Sequence, residues 1–213
     1  MVKIIKKITK NSPNRERRKI IVVGTEGENK TEESYLRALE RKQNKYHFVF
    51  ADGNYTDPVR IVEDTIKKAE KEDLDYEQGD IAISIFDLDL CISKKSQLSK
   101  AKALCIEGNV QLITSNPCFE IWFLEHFQYT SKGFDNSKAL IKELNKHLPG
   151  YTKSMIHFDD LYPLTGNAIK NCERLDRYHK DNSRIGEIEF CNPRTDMYKL
   201  VSMIIDNNFR HEN

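Results

Sequence analysis

The stretch that decides the fold is Asp80-Ile81-Ala82-Ile83-Ser84-Ile85-Phe86-Asp87-Leu88-Asp89. Its apolar run is short, rich in β-branched residues and free of charge, which is typical of a strand buried on both faces of a parallel sheet. Two carboxylates, Asp87 and Asp89, follow at the end of that strand. Because alternate side chains of a strand point to the same face, we expect them about 6 to 7 Å apart. A divalent ion could bridge them, although an aspartate that merely caps the next helix would leave the same pattern.

Three more apolar segments predict strands, at residues 20–23, 46–51 and 110–114, with helical patterns between them. Asp57-Pro58, for example, combines a helix N-cap with a first-turn proline. The first half therefore has the order β-α-β-α-β-α-β, which predicts an α/β fold with a mostly parallel sheet flanked by helices. In the second half, apolar stripes predict helices at 138–148 and 195–206, and turn or cap signals fall at 165–167 and 192–195.

The chain length suits one domain with extensions rather than several domains, since 213 residues can bury a sizeable core. Residues 1–19 carry eight Lys or Arg and one acid, and predict a basic arm that either touches phosphates or is a solvated tail. We assign residues 20–130 to the α/β domain. Residues 131–213 are expected to form a mainly helical extension packed on the same core.

Composition excludes several classes of protein. Apolar residues make up 38% and charged residues 31% of the chain, and no apolar stretch approaches the roughly 20 residues of a membrane span. The N-terminal residues lack the features of a signal peptide, so we expect a cytoplasmic protein without a membrane partner. Five cysteines without a C-x-x-C pair favour reduced thiols over disulfides or zinc. The net charge of +1 argues neither for nor against a nucleic-acid partner.

Acidic residues recur where the predicted strands end. Glu26 follows the first strand, Asp87 and Asp89 the third, and Glu120 lies in the first turn of the helix after the fourth. Ligands of open parallel sheets bind at these ends, so the acids are expected to converge. An all-oxygen site suits Mg²⁺ or Mn²⁺ rather than zinc. Glu120 could equally serve only to complement its helix dipole. Lysines that could hold a phosphate backbone, or be ordinary surface residues, are Lys30, Lys94, Lys95, Lys100 and Lys102.

Familiar nucleotide and phosphate motifs are missing. The loop after the first strand lacks the P-loop pattern and the dinucleotide-binding glycines. A D-x-D phosphatase would carry its aspartates on an early strand with a hydroxyl residue after them, whereas Leu90 follows here. A nucleotide-sugar glycosyltransferase, which also binds metal through D-x-D, stays as a minor alternative that gives Glu26 no role.

A glutamate after the first strand, together with D-x-D after a later one, resembles the Toprim pattern of topoisomerases, primases and some nucleases. More closely, the chain resembles the RloB-like family of bacterial phage-defence proteins. The residues that carry this resemblance are Glu26-Gly27-Glu28-Asn29-Lys30-Thr31-Glu32, Phe86-Asp87-Leu88-Asp89, Ser115-Asn116-Pro117-Cys118-Phe119-Glu120-Ile121-Trp122 and Asn192-Pro193-Arg194-Thr195.

The resemblance implies a Toprim-like, Mg²⁺-dependent endonuclease that cuts RNA or DNA, tRNA being an attractive substrate, and that acts in phage defence with a partner ATPase. It makes Glu26, Asp87 and Asp89 the metal-binding acids and Glu120 a fourth catalytic acid. Because Lys30, Lys94 and Lys95 lie close to these acids in the sequence, they are the candidate substrate-binding residues. The alternative is a non-catalytic module that binds nucleic acid or the ATPase. The choice between Glu26 and Glu28 as ligand, and the assembly of copies into a homo-oligomer, are left open.

Overall fold

The protein is described by a computed structural model that covers residues 17–27, 31–88, 95–182 and 190–205. Its sheet has five strands in the order β2-β1-β3-β4-β5. The first four strands run parallel to one another, and the short last strand pairs antiparallel with its neighbour. The strands are β1 (Lys19–Thr25), β2 (Tyr46–Phe50), β3 (Ile81–Asp87), β4 (Val110–Asn116) and β5 (Arg194–Thr195).

Helices connect the parallel strands and form most of the second half. Those of the first half are α1 (Thr31–Glu40), α2 (Pro58–Lys71) and α3 (Lys95–Glu107). Those that follow are α4 (Glu120–Phe127), α5 (Ser137–Leu144), α6 (Phe158–Leu161), α7 (Thr165–Asn182) and α8 (Met197–Ile204). The prediction of a mostly parallel α/β sheet flanked by helices, with a helical C-terminal part, is confirmed. None of the helices in the described ranges is both long and apolar enough to cross a membrane.

The α2 helix begins as its sequence predicts. The Asp57 side chain accepts hydrogen bonds from the backbone N–H groups of Val59 and Arg60, and Pro58 occupies the first turn. The apolar face of α2 buries Ile61, Val62 and Ala69 against the sheet. These contacts fix one layer of the domain and leave the other face of the sheet to α1 and the second half of the chain.

Two parts of the second half differ from the prediction. No apolar stripe predicts a helix after the turn or cap signal at residues 165–167, yet the 18-residue helix α7 begins there. Its buried side has helical spacing, but Leu175 is the only large apolar residue among the buried residues Thr165, Ala168, Cys172, Leu175, Asp176 and His179. Residues 192–195, also predicted to be a turn or cap, contain β5, and α8 begins only at Met197. These two residues form a strand because they pair with β4, and the local sequence does not specify that pairing.

The main hydrophobic core joins the two halves of the chain. One cluster of buried residues includes Ile21 and Ile83 from the sheet, Trp122 from α4, and Leu144 and Leu200 from helices of the second half. The opposite face of the sheet carries smaller clusters with α2 and α3. The sheet is therefore covered on both faces, as the uninterrupted apolar run of β3 indicates.

Candidate functional site: a buried acidic cluster

The acidic cluster lies at the C-terminal ends of β1 and β3, which are neighbours in the sheet. Thr25, the last residue of β1, pairs with Ile85, so Glu26 and Asp87 leave adjacent strands at nearly the same level. Asp87 pairs with Ser115 of β4. Both acids are 5% exposed. Since side chains alternate along β3, Asp87 points to the same face as Ile83 and Ile85, toward the main core.

Two more carboxylates come from helices on that face. Glu32, in the first turn of α1, is 3% exposed, and Glu120, at the start of α4, is fully buried. The two helices meet through Tyr35, whose ring packs edge-on against Phe119 and Trp122. Tyr35 lies three residues after Glu32 and Phe119 directly precedes Glu120, so this aromatic packing carries both carboxylates to the strand ends.

A single lysine, Lys153, is the cation found with these acids among the described residues. Its ammonium group is 3.8 Å from Glu120 Oε1. The Tyr151 hydroxyl donates a hydrogen bond of 3.0 Å to the same oxygen. The Thr31 hydroxyl donates to the backbone carbonyl of Lys153 at 2.9 Å, which ties this turn to the start of α1. Glu120 is thus held in place by two groups of the 151–153 segment.

The cluster has more negative charge than its surroundings compensate. Burial, followed by repulsion from Glu32, Glu120 and Glu26, raises the pKa of Asp87 well above its usual range. Burial likewise raises the pKa of Glu32 to about 8, with added repulsion from Glu120 and Glu26. Partial burial works to lower the pKa of Lys153, but the Glu120 and Asp87 carboxylates outweigh it and raise that pKa. Protons or a further cation must therefore neutralise part of the cluster.

One oxygen of each of three carboxylates is buried without a hydrogen-bond partner. These are Asp87 Oδ1, Glu32 Oε2 and Glu120 Oε2. Such atoms are costly unless a proton or an ion satisfies them. The donor chemistry suits a hard cation. Within the described ranges, however, no three His, Cys, Asp or Glu side chains are grouped closely enough to hold a metal ion.

Several predicted site residues cannot be placed. Asp89, Lys30, Lys94 and the alternative ligand Glu28 lie outside the described residues, and Lys95 begins α3 but its side chain is not described. Of the predicted acids, the structure brings together Glu26, Asp87 and Glu120.

Glu32 and Lys153 are members of the cluster that the sequence analysis does not identify. A signal for Glu32 exists in the sequence, because Glu32, Tyr35, Leu36 and Leu39 have the spacing of one helix face and that face is otherwise apolar. A carboxylate in such a stripe is buried among core residues. No comparable signal marks Lys153, which lies in a turn far from the other site residues along the chain.

The family comparison covers this whole arrangement. The model of the family described as "RloB-like protein" matches residues 21–204, which is most of the chain. The chain belongs to the RloB-like family. No curated protein and no solved structure matches it. The match of this RloB-like protein extends over both halves of the chain, so it includes the strand ends that carry Glu26 and Asp87 as well as the later segment that supplies Lys153.

Proposed function

We propose that this RloB-like protein is a metal-dependent endonuclease that hydrolyses phosphodiester bonds of nucleic acid at the acidic cluster. The observation that carries the proposal is the convergence of Glu26, Asp87, Glu32 and Glu120 at neighbouring strand ends with one lysine among them. A structural core does not need such a set, because each buried carboxylate costs free energy. A site that binds a cation and a phosphate does need it.

The residues that would hold the ion are Glu26 and Asp87, together with Asp89, as the family resemblance implies, and Glu120 or Glu32 would complete the set. When bound, Mg²⁺ or Mn²⁺ would supply an activated water and stabilise the charge of the attacking and leaving oxygens. The unpartnered oxygens of Asp87, Glu120 and Glu32 fit this role in chemical type.

The other groups of the cluster would orient the acids and offset part of their negative charge. Tyr151 fixes one oxygen of Glu120 by its hydrogen bond and thereby directs the other, unpartnered oxygen. Lys153, held by Thr31 at its backbone, places a positive charge beside the acids where the scissile phosphate would lie. Burial and the neighbouring carboxylates raise the pKa of Glu32 to about 8, so a cation that binds here would displace its proton.

The biological setting is proposed from the family resemblance alone. RNA or DNA is the substrate class, with tRNA the first substrate to test. A partner ATPase would restrain or trigger cleavage during phage infection. The cytoplasm is the compartment consistent with such a role.

A second candidate function is a non-catalytic module that binds nucleic acid or the ATPase. Two observations favour it: Lys153 already lies beside Glu120, and the described residues contain no three-ligand metal group. In that case the acids and Lys153 would form a polar core that fixes the packing of α1 on α4.

The experiment is a cleavage assay of the purified protein, with and without its partner ATPase, over tRNA, mRNA, single-stranded DNA and duplex DNA in Mg²⁺, Mn²⁺ or EDTA. We expect cleavage only with metal. Asp87→Asn and Glu32→Gln should reduce cleavage by about 100-fold and 10-fold, since changes around metal ligands cost roughly 10 to 100-fold.

Glu33→Gln is the matched control, because Glu33 neighbours Glu32 in α1 but points outward to an ion pair with Arg37 at 2.7 Å. This variant should cut like the wild type. Undiminished cleavage by Asp87→Asn would exclude the proposed site. No turnover with any metal and substrate, combined with loss of ATPase or nucleic-acid binding in Asp87→Asn, would instead establish the binding module.

A further inference from the structure

A cavity of about 220 Å³ lies on the other face of the sheet from the acidic cluster. Leu88 and Thr114 from the ends of β3 and β4 line it, together with residues of α3, β5 and α8. Leu88 directly follows Asp87, and since successive side chains of an extended chain alternate, the two point to opposite faces. The cavity is therefore separate from the proposed catalytic site, although both lie toward the same ends of the strands.

Positive charge dominates the lining of this cavity. The described lining residues include three cations, Lys102, Arg194 and Lys199, and one carboxylate, Asp196. The remaining lining residues are Leu88, Leu98, Leu112 and Thr114. When Asp176, whose carboxylate lies 3.4 Å from Arg194 Nε, is counted as well, the charges of these described residues sum to +1. A positive excess of this kind favours an anion.

The guanidinium group of Arg194 is held rigidly. Its two terminal nitrogens donate to the two oxygens of Asp196 at 2.9 and 2.6 Å. Its Nε lies 3.4 Å from Asp176 on α7. Asp196 in turn accepts hydrogen bonds from Thr114 at 3.0 Å and Lys199 at 2.5 Å. Both oxygens of Asp196 are therefore already engaged, and it cannot fully compensate the surrounding cations.

Lys102 faces this engaged pair from α3. Partial burial and repulsion from Arg194 lower its pKa, and the attraction of Asp196 only partly offsets them. Two cations that line the same cavity repel each other. A bound anion between them would remove that repulsion and gain charge-assisted hydrogen bonds from both.

We propose that this cavity, the Arg194 pocket, binds the phosphate monoester group of a phosphorylated ligand. A phosphate monoester presents three terminal oxygens to the three cations of the lining, whereas a phosphodiester presents only two. Lys102, Arg194 and Lys199 bind the phosphate oxygens. The leucines contact a compact organic part such as a ribose.

The size of the Arg194 pocket agrees with such a ligand. Its volume is several times the roughly 30 Å³ share of one water and below the roughly 300 to 1,000 Å³ of pockets for drug-sized molecules. Lys199, whose side chain is 51% exposed, marks the mouth. The rest of a nucleotide, or a strand with a 5′-phosphate, would leave through this opening. Free nucleotides and 5′-phosphorylated strand ends are the two sources of the monoester.

Calorimetry at constant ionic strength tests the proposal on the full chain. The probes are orthophosphate, adenosine 5′-monophosphate, adenosine, and one short oligonucleotide with either a 5′-phosphate or a 5′-hydroxyl. We expect the phosphorylated probes to bind and adenosine not to bind. Lys102→Gln and Lys199→Gln should each weaken binding roughly tenfold, as expected for the loss of one charge-assisted hydrogen bond. Lys67→Gln, at an exposed lysine of α2 that does not line the cavity, should bind like the wild type.

Each outcome has a defined meaning. A phosphorylated oligonucleotide that binds more tightly than adenosine 5′-monophosphate identifies strand ends as the source, and equal affinity identifies the free nucleotide. The proposal is wrong if no phosphorylated probe binds at millimolar concentration, if adenosine binds as well as its monophosphate, or if Lys199→Gln retains wild-type affinity. The half-exposed Lys199 can be changed without disturbing the core, so its variant remains folded for the test. Because no step uses the acidic cluster, loss of nuclease activity would leave this result unaffected.

Discussion

At the scale of single residues, burial gives identical side chains different chemistry. Glu125 lies in α4 and is fully buried, whereas Glu63 lies on the exposed face of α2. Burial raises the pKa of Glu125 to about 8, and an interaction with the backbone of Thr130 offsets only part of that shift. The folded protein therefore keeps a proton on Glu125 that the unfolded chain, with a pKa near 4.5, releases.

This difference predicts a pH-dependent stability. Between about pH 4.5 and 8 the folded state binds more protons at Glu125 than the unfolded state does, so the free energy of unfolding falls as the pH rises and levels off above 8. Glu125→Gln should make this fall less steep but not abolish it, because Glu32 and Asp87 also have raised pKa values. The variant should be more stable than the wild type at pH 8.5 by a few kcal/mol and match it at pH 4. Urea denaturation at a series of pH values measures the effect.

Glu63→Gln is the control for this measurement, and it should keep the wild-type decline. An identical decline in Glu125→Gln would show that other groups cause it.

At the scale of elements, α2 packs on β1 at a position where only glycine fits. A Cβ atom on Gly24 would lie 1.9 Å from Thr65 Oγ1 and 3.2 Å from the backbone oxygen of Ile61. The Thr65 hydroxyl donates to that Ile61 oxygen at 2.7 Å and lies 2.9 Å from the Ser84 hydroxyl of β3. Gly24 thus allows a buried hydrogen-bonded contact between α2 and two strands.

Gly24→Ala should therefore destabilise the protein by roughly 2 to 4 kcal/mol, because it overpacks the contact and displaces a buried hydroxyl. Thr65→Ala removes the obstructing oxygen. The double variant should then cost clearly less than the sum of the two single variants, which chemical denaturation can measure. If the free-energy costs of the two single variants add up in the double variant, the Cβ atom of Gly24→Ala does not clash with Thr65.

At the scale of the whole molecule, the two halves of the chain share one core. Leu144 of α5 is fully buried in the same cluster as Ile83 of β3 and Trp122 of α4. The last strand, β5, comes from the far end of the chain and pairs with β4. Because of these contacts, the stability of the second half depends on the sheet, and the stability of the sheet depends on the second half.

We therefore expect cooperative unfolding. Leu144→Ala should lower the free energy of unfolding by about 2 to 5 kcal/mol. It should shift the fluorescence of Trp122, the single tryptophan, and the far-ultraviolet circular dichroism to the same new midpoint. Ile106→Ala, at an 84% exposed position of α3, should change stability by less than about 0.5 kcal/mol. Helical signal lost before the tryptophan signal would indicate two independently unfolding parts.

The sequence predicts this fold well where local pattern and final environment agree. A few neighbouring residues are enough to predict the buried strand β3, the Asp57 cap, and the buried faces of α1 and α2. The α7 helix and β5 are not predicted, because their local sequence pattern does not indicate the environment that they have in the fold. The buried side of α7 consists mainly of small or polar residues, and β5 is a strand only because Ser115 and Asn116 pair with it.

The sequence by itself determined that this is an α/β protein with acids at the ends of its strands, because strand burial and alternation are local properties of the chain. Only the tertiary structure decided that Glu32 and Lys153 join Glu26, Asp87 and Glu120, and that Lys102, Arg194 and Lys199 line a second, positively charged cavity. The physical reason is that electrostatic interactions depend on distance in space and on burial, and residues far apart along the chain acquire both only when it folds.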